Sequence, residues 1–163
     1  MDVEKTLQKI AGLFSAGRKA SPETVAVNLA LLRAMMMLAA VDGVITKDEL
    51  SCFWRRVRQC EGVDAETLEQ TWRSALSSAG LLAMQSMLLS REGLVAEFLR
   101  EIEGDFVQKL LAVDSSARKD AYRCLQAVAE ADGDCQEIER ACISALVARV
   151  RDAWESKVVS EAE

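Results

Sequence analysis

The sequence predicts an all-α protein, a single helical bundle of about seven to nine helices. Three observations carry this. Half of the 163 residues are hydrophobic but only 5% are aromatic, so the core must be aliphatic: Ala, Leu, Val and Met. One proline and eight glycines leave few breakers, and such a composition favours long helices. Apolar residues recur at helical spacing, while no segment alternates with a period of two for long enough to read as a strand. The length fits one domain with a sizeable core, and no Pro/Gly/Ser-rich linker divides it. Residues 1–163 therefore read as one domain: an N-terminal amphipathic helix over 1–19, a core over 20–155 and a frayed tail over 156–163.

Val3, Leu7, Ile10, Leu13 and Phe14 place the first helix over residues 3–16. It is expected to dock on its own domain rather than reach for a partner. Ser21-Pro22-Glu23 opens the second helix, with Ser21 as N-cap and Pro22 at the first helical position. From Val25 to Val41, Leu29, Leu31, Leu32, Met35, Met36, Met37 and Leu38 spread around the circumference. A helix apolar on nearly all sides is buried on nearly all sides, which makes this the central helix. The three methionines read as core rather than as an adaptable groove.

Asp42-Gly43 ends it, Gly43 supplying positive φ. Thr46-Lys47-Asp48-Glu49 matches a capping box and opens the third helix. That helix carries Leu50, Phe53, Trp54 and Val57 and runs to about Gln59. Asp64-Ala65-Glu66 starts a fourth, with Leu68, Trp72 and Leu76. Gly80 to Leu89 and Glu92 to Ile102 are two more helical patterns, split near Ser90-Arg91, and Phe106 to Val113 is a short one. Asp114-Ser115-Ser116 caps a helix from Ala117 to Ala131 with Ala121, Leu125, Val128 and Ala129 inward, and Asp132-Gly133 stops it. The last helix starts near Gln136 or Glu137, carries Ile138, Cys142, Ile143, Leu146, Val147, Val150 and Trp154, and frays after about Lys157.

A net charge of -6 argues against nucleic acid and anionic lipid as partners. The cluster Arg55-Arg56-Val57-Arg58 falls at a helix C-terminus, where cations complement the dipole. The absence of histidine removes the commonest general base, the Ser-His and Cys-His pairs and the usual zinc ligands. Five cysteines without CxxC spacing read as reduced thiols of a cytoplasmic protein. Cys52, Cys124 and Cys142 lie on or beside apolar faces and Cys135 among carboxylates, which leaves Cys60, beside the arginines, as the candidate reactive thiol. The longest uninterrupted apolar run, Ala34 to Val41, is too short to insert in a membrane.

The two Asp-Gly turns share a skeleton: Ala, two residues, Asp-Gly, five residues, Glu. Set against the calcium loop D-x-[DN]-x-[DN]-G-x5-E, Asp42, Gly43 and Glu49 take positions five, six and twelve, and Asp132, Gly133 and Glu139 repeat them. The first position is Leu38 or Val128 in what should still be helix, so a paired EF-hand is rejected. Two carboxylate pairs at helix corners remain. One reading is structural: Asp42 and Asp132 close turns, and Glu49 and Glu139 cap helices. The other is a site. If the corners face one another, Asp42, Glu49, Asp132 and Glu139 would repel and hold a divalent cation. Hard oxygen ligands favour calcium or magnesium over zinc.

Residues Met37 to Glu49 and Leu125 to Gly133, with Glu139, resemble the tellurite-resistance TerB family. An A-x-A-D-G-x-I-x-x-x-E pattern occurs twice there at about this separation. Val41 stands where the family usually has Ala, and Cys135 where it has an apolar β-branched residue. The likeness covers about residues 20 to 155. It implies an all-α fold with two pseudo-symmetric halves, an acidic patch that binds divalent metal, and a tellurite-type stress response beside membrane-associated protein partners. The expectation is a non-enzymatic module binding a cation through the four carboxylates. The alternative is a scaffolding bundle whose acidic turns only cap helices and whose active surface is the N-terminal helix. An enzyme would require a cleft and a carboxyl group of raised pKa.

Overall fold

The computed structural model describes residues 3–14 (side chains for 3–8), 21–131, 133 and 136–162. Eight α-helices follow in order: α1 (Val3–Phe14), α2 (Pro22–Ala40), α3 (Lys47–Gln59), α4 (Ala65–Gln85), α5 (Arg91–Ile102), α6 (Gln108–Leu111), α7 (Ser115–Ala129) and α8 (Glu137–Ala162). A π-helical turn, Glu103–Val107, joins α5 to α6 without a break, so the described residues form seven helical rods and no strand.

Five of the seven rods begin where the side-chain chemistry says they should. Ser21, Thr46, Asp64, Ser90 and Asp114 sit in extended conformation and accept from the backbone N–H three residues on. Each such cap satisfies a donor that would otherwise be orphaned, worth ~1 kcal/mol. Pro22 occupies the first turn of α2, where no N–H is needed.

Helix α2 is the centre. Twelve of its residues are buried, from Val27 to Ala40, and Met35, Met36 and Met37 lie in the core. By length and composition α2 would also cross a bilayer; in this fold α4, α7 and α3 cover it. Helix α1 docks on α4 and α3, burying Leu7. Arg33, within α2, donates to Ser78 Oγ, to the Glu101 carbonyl at 2.9 Å and to Glu101 Oε2 at 3.1 Å, tying α2 to α4 and α5.

Three expectations need correction. The helix begun at Asp64 and the pattern from Gly80 are one helix, α4, which runs through Gly80 because Ala75, Ala79 and Leu82 continue one buried stripe. The segment expected as a short helix over Phe106 to Val113 is the end of the α5 rod, its π turn clamped by Arg149 against Glu103. The C-terminal tail, expected to fray after about Lys157, is helical to Ala162, and Trp154 lies at the surface with Arg118 over its ring at 4.6 Å.

The packing of α3 on α7 sets up the site. Cys52 Sγ approaches the Ala127 carbonyl at 3.6 Å, and Arg56 bonds Asp120 at 3.0 Å. The two helices therefore run antiparallel, with the start of α3 beside the end of α7. The α2–α3 and α7–α8 corners meet at one end of the bundle.

Candidate functional site

The described residues of the two corners share two local bonds. Gly43 and Gly133 take φ of 93° and 78°, a region closed to most side chains. Their N–H groups donate to the carbonyls three residues back, Ala40 at 2.9 Å and Glu130 at 3.0 Å. At the first corner the Asp42 carboxylate accepts from Val44 N–H at 2.9 Å, an Asx turn. Glu49 Oε2 accepts from Thr46 N–H at 2.7 Å while Thr46 Oγ1 accepts from Glu49 N–H at 3.2 Å, the complete capping box. At the second corner Glu139 Oε2 accepts from Gln136 N–H at 2.9 Å, the same reach-back across three residues.

The four proposed ligands are thus placed as follows. Asp42 is exposed at the rim of its turn, and Glu49 and Glu139 are buried, at 2% and 1% exposure. Asp132 lies outside the described residues, as does Cys135. Glu49 and Glu139, ninety positions apart in the chain, meet carboxyl to carboxyl. Glu139 Oε1 is buried with no hydrogen-bond partner. Two ionised carboxylates only accept, so they bond only if one proton sits between them.

Burial is the main cause that pushes the Glu139 carboxyl up, to about 8, and the neighbouring Glu49 and Asp42 charges push the same way. Glu49 is also raised, first by burial, against the opposing pull of the Thr46 hydrogen bonds. Both shifts run in the direction that favours keeping one proton on the pair. Chemically it can hold a proton or accept a cation in its place. Among the described residues no group of three acidic or thiol side chains is assembled to hold a metal.

The remaining candidates move away from chemistry. Cys60 is 1% exposed and burial pushes its thiol up to about 11, which corrects its place as the reactive thiol. Cys142 is buried and pushed to about 12. Arg56 of the arginine cluster turns inward, to Asn28 Oδ1 at 2.7 Å and to Asp120. Sequence reasoning missed the Arg91–Glu137 ion pair that ties the start of α5 to the start of α8; at 46 positions apart it has no local signal.

The chain matches no protein-family model, no curated protein and no solved structure.

Proposed function

We propose that the chain is a non-enzymatic, TerB-like module that binds one divalent cation between its two Asp-Gly corners. The meeting of Glu49 with Glu139 carries the reading: two buried carboxyl groups from distant corners, one with an unpartnered oxygen, make a place where a positive charge is worth most. Asp42 at the surface gives a cation its entry, and Asp132 would supply the equivalent carboxylate of the second corner. All donors are oxygens, which favours calcium or magnesium over zinc. The matched bonds of the two corners support a protein of two related halves. A carboxyl pair this closed suits binding rather than turnover of a substrate. The setting that goes with the resemblance is a tellurite-type stress response, with a protein partner at or near a membrane.

The test is thermal unfolding in EDTA, then with calcium, magnesium or zinc added. A ligand that binds only the native state stabilises it by about 2.7 kcal/mol at a hundred times its Kd. A rise in Tm with calcium or magnesium that vanishes in Asp42→Ala/Asp132→Ala supports the site. A second reading, a scaffolding bundle with purely structural turns, is favoured by the capping bonds of Glu49 and Glu139 and by their shared proton. No shift with any of the three ions would establish that reading and remove the first.

A further inference from the structure

The end of the bundle that holds the acidic corners also holds its most exposed apolar side chains. Met87 and Leu88, in the α4–α5 turn, are 86% and 85% exposed. Leu81 and Met84 continue the exposed apolar surface back along α4, and Val44 lies across from it in the α2–α3 turn. The two turns touch: a Cβ placed on Gly43 would come within 2.9 Å of Ser86 Oγ. Isolated exposed leucines are ordinary, but a cluster of this kind on one end marks an interaction site. Methionine at its centre suits a surface that adapts to its partner.

Charge selects the partner. The C-termini of α2, α4 and α7 and the N-termini of α3, α5 and α8 lie at this end, so the helix dipoles offset one another. Side chains then set the field. Arg91 and Glu137 neutralise one another, which leaves the exposed Asp42, Asp48 and Glu92 against Lys47. A second copy would bring the same acidic rim and be repelled, as would an anionic lipid surface. We infer that this end docks a basic amphipathic helix of a protein partner, its apolar face on Met84, Met87 and Leu88 and its lysines or arginines on the carboxylate rim. This goes beyond the cation reading and does not need it.

The test uses the full chain and a labelled synthetic Leu/Lys amphipathic helix, followed by fluorescence anisotropy at low and high salt. The peptide binds, high salt weakens it, and Met87→Ser/Leu88→Ser raises Kd about tenfold, ~1.4 kcal/mol, with unchanged melting. Val158→Ser/Val159→Ser, a change at exposed valines on α8, leaves binding as it was. The inference is overturned by absence of binding, by equal binding of a Leu/Glu helix, or by equal affinity in the Met87/Leu88 variant. It is also overturned if that variant abolishes flotation with phosphatidylcholine/phosphatidylglycerol vesicles, which assigns the patch to lipid. Loss of a wild-type dimer in the variant overturns it too, by assigning the patch to self-association.

Discussion

Glu139→Gln isolates the shared proton. In the folded chain the Glu139 carboxyl titrates near 8, against 4.5 for an ordinary glutamate. Between those values the native state keeps a proton that the unfolded chain has released. The stability this proton brings is complete below pH 4.5, declines as pH rises, and is gone once pH passes through about 8. The full span corresponds to ~5 kcal/mol, a ceiling because Glu49 and Asp42 respond with it. Glutamine has nearly the same shape and cannot ionise. Its amide can donate to the Glu49 carboxylate while its carbonyl accepts from Gln136 N–H, the bond Glu139 now makes at 2.9 Å. Urea unfolding followed by circular dichroism in EDTA, from pH 6 to pH 9, is the assay. Wild type should lose roughly 3 kcal/mol across this range, and the variant should lose far less and be the more stable protein at pH 9. Parallel curves for the two proteins would refute the shared proton.

Two glycines should respond in opposite directions. Gly43→Ala should cost more than ~1 kcal/mol, because φ is 93° and the new methyl meets Ser86 Oγ. Gly80→Ala, in a helix interior with open space around it, should gain ~0.5–1 kcal/mol, both read from Tm. Thr46→Ala removes one half of the capping box and should cost ~1 kcal/mol in urea unfolding. Leu31→Ala in the centre of α2 should cost ~2–5 kcal/mol. Cys60, buried and with a raised pKa, should escape a disulfide reagent in the native protein and react only on unfolding.

The helical order, the buried α2 and both glycine corners were legible because their signals are local. Capping residues, positive-φ glycines and all-round apolarity each act within one or two turns. Glu49 and Glu139 could be picked out by spacing, but not their burial. That depends on α3 lying against α7, a pairing marked by Cys52 against the Ala127 carbonyl and Arg56 against Asp120, partners more than sixty positions away. Gly80 misled because glycine usually weakens a helix; the stripe of Ala75, Ala79 and Leu82 outweighs it. The tail misled for a similar reason. The cations of Arg118 and Lys157 beside Trp154 lend the last turns of α8 support that no reading of residues 156–163 would contain.

The covering of α2 also has a history in time. Its last residue, Ala40, is made about ninety residues before Ala129 completes α7. At a synthesis rate of roughly 5–20 residues per second, this hydrophobic rod waits ~5–20 s for that part of its cover. Until its neighbours are made it is a segment with the length and apolarity of a membrane anchor. Helix α3, finished at Gln59, gives it its first cover, and α4, finished at Gln85, adds the next.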